Sequence, residues 1–82
     1  MNEPHIAGHF ICVRDIQGIR HALRLSSVTA IRDADEDQTE TMIVVNGGRA
    51  SILVPYSMES VLEEVIEADP SMAKHIAVRR FR

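Results

Sequence analysis

The sequence predicts an α+β fold: an antiparallel meander of about five strands, forming a bent sheet or small open barrel, covered by one C-terminal amphipathic helix. Apolar and polar residues alternate from Ile19 to Leu25, which is the period of a half-buried strand. Asn46-Gly47 separates two apolar runs, the strongest short signal for a β-hairpin. After Ser57, a residue type that caps helices, apolar residues recur at helical spacing: Val61, Leu62, Val65 and Ile66.

The length of 82 residues indicates a single domain, 1–82, with a thin core. Within it we interpret residues 1–8 as a loose N-terminal lead-in and residues 71–82 as a basic C-terminal tail. Within the tail, His75–Phe81 is a last strand or a short helix. The strand is favoured because Ile76 and Val78 alternate with polar or small neighbours.

The composition is typical of a folded intracellular protein. Apolar residues make up 45% and charged residues 26%, and the net charge of −3 argues against a general nucleic-acid binder. The single cysteine, Cys12, excludes an internal disulfide framework and favours a reducing compartment. Neither a signal peptide nor an apolar run of the ~20 residues that span a bilayer is visible. We therefore expect a cytoplasmic protein that does not enter a membrane.

The first half of the chain predicts three strands. The apolar run His9–Arg14 is typical of a strand buried on both faces, and Asp15–Gly18 is a turn. The second strand follows and the third covers Val28–Arg32. In the second strand, one face carries Ile19, His21, Leu23 and Leu25, and the other carries Arg20, Ala22 and Arg24.

The second half predicts a hairpin and the helix, after an acidic loop of residues 33–39. The hairpin strands are Thr41–Val45 and Arg49–Val54. The helix extends from about Met58 to about Ala68, with Ser57 as its N-cap, and ends at Asp69-Pro70. A thin core and several edge strands also predict a homodimer, because pairing removes exposed edges.

No pattern of residues predicts a metal or cofactor site. Asp33, Asp35 and Asp37 are spaced like the first three ligands of an EF-hand, but Gln38 and Val44 replace the required Gly and Glu. We therefore interpret the loop as solvated. The histidines, at positions 5, 9, 21 and 75, lack the paired spacing of zinc ligands, and a hydrogen-bonded, partly buried role is predicted for His21.

Nucleophilic catalysis has little support in the sequence. Cys12 lies within an apolar strand, where a buried thiol behaves as a small hydrophobe. No serine occupies a Gly-flanked elbow, and Ser57 already serves as the helix cap. We predict that the chain is not an enzyme.

Charges are segregated along the chain. The helix carries acidic residues without a basic one, and the tail carries basic residues without an acidic one. One interpretation is a surface that binds phosphate or an acidic protein; another is that the tail lies beside the helix and balances its charge. The candidate interaction residues on the sheet face and in the tail are Arg20, Arg24, Lys74, Arg79, Arg80 and Arg82.

The segment Ile19–Ala68, with its short strands, Asn46-Gly47 hairpin and acidic helix after Ser57, resembles small FlbD-like flagellar-associated proteins. The resemblance implies a non-enzymatic accessory protein. The chain departs from that family in its N-terminal segment, its acidic loop and its basic tail.

These observations predict a small non-enzymatic interaction or accessory protein that acts through a sheet edge and the basic tail. The expected partners are a second copy of the chain and another protein. The alternative is a nucleic-acid-binding transcriptional or phage-type regulator that uses the arginines of the sheet face and tail. A metal- or substrate-binding enzyme, using His9, His21 or the acidic loop, is the third hypothesis.

Overall fold

The fold consists of two β-sheets and one helix, and the computed structural model describes residues 3–79. The N-terminal sheet is an antiparallel meander of β1 (His5–Ala7), β2 (Phe10–Arg14) and β3 (Arg20–Arg24). The C-terminal sheet is formed by β4 (Val28–Asp33), β5 (Thr41–Val45), β6 (Ala50–Val54) and β7 (Ala77–Arg79), in the spatial order β6-β5-β4-β7. The helix α1 spans Met58–Ala68.

The predicted α+β class with one covering helix is confirmed, and both sheets are open. The chain forms two sheets where the alternation predicts one bent sheet or small open barrel, because Leu25–Ser27 forms a turn of 3₁₀-helix between β3 and β4. Leu25 is buried in that turn, so its side chain anchors the point at which the chain passes from one sheet to the other.

A short strand lies within the stretch of residues 1–8 that is expected to be a loose lead-in. His5–Ala7 forms β1, in which Ile6 pairs with Ile11 and packs against the core. Three residues are too few to show a period, so the sequence does not reveal this strand. β2 is also not buried on both faces: Ile11 is buried, whereas Phe10 is exposed, because none of the described elements forms a layer over the outer face of the sheet.

The C-terminal segment belongs to the core and is not a free tail. Pro70–Lys74 forms a 3₁₀-helix, begun by Asp69, whose carboxylate accepts a hydrogen bond from the backbone N–H of Ser71. Met72 and Ile76 bury their side chains, and β7 then pairs with β4 in parallel. The favoured strand is therefore present as β7 within the stretch His75–Phe81, and the 3₁₀-helix lies before that stretch. Residues 80–82 lie outside the described residues.

The helix α1 has its predicted bounds and its predicted cap. The Ser57 hydroxyl oxygen accepts a hydrogen bond from the backbone N–H of Ser60 at 3.2 Å. Its apolar side chains close the core between the two sheets. Met58, Val61 and Val65 are fully buried, and Leu62 and Ile66 pack at the margin.

The segment between β6 and α1 is fixed by one buried hydrogen bond. The Thr41 hydroxyl, which is fully buried, donates to the carbonyl oxygen of Tyr56 at 2.7 Å. This bond satisfies a carbonyl that no ladder or helix uses. Tyr56 also contacts the N-terminal sheet, because its hydroxyl accepts a hydrogen bond from the backbone N–H of Arg14.

The predicted hairpin between β5 and β6 is confirmed. Its loop has four residues, since Val45 pairs with Ala50. Gly48 lies at a φ of 97°, a conformation that favours glycine. The turn is therefore one residue longer than Asn46-Gly47-Gly48.

Candidate functional site

The outer face of the N-terminal sheet is strongly basic. The antiparallel register sets Arg14 opposite Arg20 and Phe10 opposite Arg24. Because side chains alternate along a strand, these four project from the same face, away from the buried Ile11. We call this surface the basic face: Phe10, Cys12, Arg14, Arg20, Ala22 and Arg24.

A groove of about 570 Å³ opens beside the basic face. Small or apolar surfaces form much of it, and cationic or titratable groups are placed around them. It is lined by Glu3, His5, Cys12, Val13, Arg14, Arg20, His21, Ala22 and Tyr56. The groove can therefore hold a ligand that carries both apolar and anionic groups.

Arg14 is the most constrained cation of the groove. Its backbone N–H donates to the Tyr56 hydroxyl at 2.9 Å, and Tyr56 itself is only 7% exposed. Its side chain is partly buried, and its Nε is shielded from solvent without a hydrogen-bond acceptor among residues 3–79. A shielded donor without an acceptor is costly, so a movement of the Arg14 side chain that lets an anion satisfy Nε would be favourable.

Arg14 and Arg20 place two like charges directly across the ladder. Such a pair is destabilising in itself, by a few tenths of a kcal/mol to about 1 kcal/mol. Within the described part of the chain, neither forms an ion pair with a carboxylate. The arrangement costs stability and is suited to an anion from outside the fold.

Arg24 and Phe10 form a cation–π pair at the other end of the basic face. The Arg24 guanidinium carbon lies 5.3 Å from the centre of the Phe10 ring. At an exposed site this contact contributes about 0.5–1 kcal/mol. Phe10 remains 37% exposed, so the pair also presents an apolar surface next to a positive charge.

His21 is partly buried and hydrogen-bonded, as its position on the inner face predicts. Its Nε2 lies 2.8 Å from Oδ2 of Asp15. Oδ1 of Asp15 accepts hydrogen bonds from the N–H groups of Gln17 and Ile19, both at 2.9 Å. The hydrogen bond with His21 is the main reason why the pKa of Asp15 is lower than 3.8. The hydrogen bonds from the two backbone N–H groups lower this pKa further, whereas burial raises it. The pair holds the β2–β3 turn.

The basic residues of the C-terminal segment do not join the basic face. Lys74 is exposed at the end of the 3₁₀-helix and forms no ion pair with the glutamates of α1. Arg79 lies in β7 of the C-terminal sheet, where its register partner is Arg32 of β4. Arg80 and Arg82 lie outside the described residues. Of the six candidate interaction residues, the structure brings together Arg20 and Arg24.

The acidic loop uses its central carboxylate to hold its own turn. Asp35 accepts hydrogen bonds from the Thr39 hydroxyl at 2.7 Å and from the N–H of Glu40 at 3.1 Å. These hydrogen bonds lower the pKa of Asp35 below its ordinary value, and the bond from the Thr39 hydroxyl has the largest effect. Asp33 is buried at the end of β4, whereas Asp37 is exposed. Across residues 3–79, no three His, Cys, Asp or Glu side chains converge as metal ligands.

The sequence does not indicate that Arg14 and Tyr56 meet in one groove, and the burial expected for Cys12 is wrong. The geometry of the β2–β3 turn sets the register of the two strands, and this register places Arg14 opposite Arg20. Tyr56 joins the site from 42 residues away, which no local pattern indicates. Cys12 is partly buried in the groove wall, and not within the core as expected.

Comparison of the chain with protein-family models, curated proteins and solved structures finds no match. The resemblance to FlbD-like proteins therefore stays a prediction. No helix among residues 3–79 has the length and apolar character needed to cross a bilayer.

Proposed function

We propose that this chain is a small non-enzymatic interaction protein that binds an acidic protein partner through the basic face of its N-terminal sheet. One observation carries the proposal: Arg14, Arg20 and Arg24 share one surface, and no carboxylate of residues 3–79 forms an ion pair with them. The chain as a whole has a net charge of −3, so this surface concentrates charge of the minority sign.

The groove favours binding over catalysis. The His21 side chain, which lines the groove, is hydrogen-bonded to Asp15 in the β2–β3 turn. The thiol of the groove, Cys12, is partly buried, and among residues 3–79 it forms no hydrogen bond with His5, the residue opposite it in the β1–β2 register. A nucleophile paired with a positioned base is the usual arrangement for covalent catalysis, and the groove supplies none among the described residues.

We further propose that the protein forms a homodimer through a sheet edge. β7 lies at an edge of its sheet, and Val78 within it is 40% exposed. Edge strands with apolar side chains pair readily with a second chain. Light scattering coupled to size exclusion is expected to give twice the 9.2 kDa chain mass; the mass of a monomer at all accessible concentrations would contradict this.

Affinity capture from the native host tests the principal proposal. The double variant Arg20→Gln/Arg24→Gln is expected to lose the partners that the wild type retains, and those partners are expected to be acidic proteins. The matched control is Arg32→Gln/Arg49→Gln, which removes the same charge from exposed positions outside the basic face. Equal capture by both double variants would show that the basic face is not the interaction surface.

The same variants test the alternative that the basic face binds nucleic acid. Binding of single- or double-stranded oligonucleotides at low salt, weakened by Arg20→Gln/Arg24→Gln and by added salt, would replace the acidic protein partner with nucleic acid. The scarcity of aromatic residues, with Phe10 alone on the basic face, favours the protein partner, because unpaired bases bind by stacking on aromatic side chains.

A further inference from the structure

We infer that Arg14 and Arg20 form a discrete carboxylate-binding subsite, in which one Glu or Asp side chain of an acidic peptide is held between the two guanidinium groups. The inference rests on the proposed function, since it names the group that the basic face recognises. It also assigns a role to Glu3, which lines the same groove, as an internal competitor for the subsite.

The backbone brings the two arginine side chains close together. The N–H of Arg14 donates to Tyr56, and the neighbouring ladder bond runs from the N–H of Asp15 to the carbonyl of Ile19. Arg14 and Arg20 are therefore a pair without mutual ladder hydrogen bonds, the type in which cross-strand side chains lie nearest. Two guanidinium groups at this spacing can share one carboxylate.

The Nε of Arg14 is an unsatisfied donor that a ligand would meet once the side chain turns outward. It is shielded from solvent and has no acceptor within residues 3–79. A guanidinium binds a carboxylate bidentately through parallel N–H groups, and a planar carboxylate fits this fork. The apolar surfaces of Cys12, Val13 and Ala22 beside it can receive the methylene groups of an acidic side chain.

Glu3 occupies the position from which a carboxylate of this chain would compete. β1 begins at His5, so Glu3 precedes the strand, and its side chain lines the groove together with Arg14 and Arg20. Pro4 lacks an N–H and precedes the first paired residue, so the ladder does not hold Glu3 in place. Removing the charge of Glu3 should therefore strengthen binding of an external carboxylate.

The site suits a carboxylate better than a phosphate. Phosphate sites are commonly built from backbone N–H groups at a helix N-terminus or a glycine-rich loop. The N–H of Arg14 already donates to Tyr56, and the groove contains side-chain cations on strands. Phosphate is therefore an outcome of the test and not the inferred ligand.

Isothermal titration calorimetry with an acetylated, amidated hexaglutamate peptide tests the subsite, and hexaglutamine serves as the neutral control peptide. Arg14→Gln and Arg20→Gln are each expected to weaken hexaglutamate binding about tenfold, the effect of losing one charge-assisted hydrogen bond. Arg49→Gln, which removes the same charge from the β5–β6 loop, is expected to change it less than about twofold. Glu3→Gln is expected to strengthen binding about threefold, as removal of an exposed competing charge would.

Each other outcome overturns the subsite. Absence of wild-type binding to hexaglutamate does so directly, while capture of acidic proteins through the basic face could still stand. Equal weakening by Arg20→Gln and Arg49→Gln would reduce the effect to net charge. Inorganic phosphate or an oligothymidylate that displaces hexaglutamate at a tenfold lower concentration would reassign the ligand. Arg20 is exposed, so its variant is expected to fold, which the circular dichroism spectrum checks.

Discussion

At the scale of single residues, Asp15 connects the structure of the β2–β3 turn to pH. Its two carboxylate oxygens accept three hydrogen bonds, from His21, Gln17 and Ile19. Since these bonds favour the ionised form, the pKa of Asp15 is lower in the folded state than the ordinary value of 3.8. Ionised Asp15 therefore stabilises the fold above pH 3.8, and this contribution is lost as the pH falls through the lower folded value.

We expect Asp15→Asn to lower the urea midpoint at pH 7 and to lower it less at pH 3. Asparagine can still accept from the N–H groups of Gln17 and Ile19, so the variant isolates the charge and the bond with His21. Asp37→Asn, at an exposed loop position, is the control and should leave the pH 7 midpoint unchanged. Equal destabilisation by Asp15→Asn at both pH values would contradict the assignment.

At the scale of elements, α1 derives its stability from a few fully buried side chains. Met58, Val61 and Val65 contact the core without exposure, whereas Glu63 on the opposite face is exposed. A thin core in a chain of 82 residues leaves little reserve, since small domains are stable by only about 5–15 kcal/mol.

We expect Met58→Ala to destabilise the fold by about 2–5 kcal/mol, through lost burial and the cavity left behind. The matched control is Glu63→Ala, expected to stay within about 0.5 kcal/mol. Urea unfolding followed by circular dichroism measures both. A change below 1 kcal/mol for Met58→Ala would show that α1 does not seal the core.

The elements also show what a local pattern can and cannot predict. The 3.6-residue period and the Ser57 cap predict the bounds of α1, because both depend on neighbours within one or two turns. The alternation over Ile19–Leu25 predicts which face of β3 carries arginines, but not that β4 joins another sheet. Sheet membership depends on the turn at Leu25–Ser27, whose geometry alternation does not encode.

At the scale of the whole molecule, the C-terminal segment completes the core. Met72 and Ile76 are 6% and 8% exposed, and β7 adds the fourth strand of its sheet. Net charge along the chain predicts a basic tail there but not its packing. The reason is that the packing of this segment depends on its contact with α1 and on the pairing of β7 with β4, a strand more than 40 residues away in sequence. For the same reason Arg14 and Tyr56 were not predictable as parts of the groove.

We expect a chain that ends at Asp69 to lose cooperative thermal unfolding. Burying each of two apolar side chains contributes about 1.5–3 kcal/mol, and their loss approaches the total stability of a small domain. Lys74→Gln is the control for charge, because it leaves Met72 and Ile76 in place. A cooperative transition in the shortened chain at an unchanged midpoint would contradict this.

The parallel pairing of β4 with β7 has a consequence for how the protein is made. Ala30 finds its partner Ala77 only after β5, β6 and α1 have been synthesised. On the ribosome, the antiparallel strands can pair as they emerge, while one edge of β4 stays open until β7 has emerged as well. Completion of the second sheet is therefore a late, long-range event of the kind that slows folding, and a nascent chain that stalls before β7 exposes a strand able to aggregate.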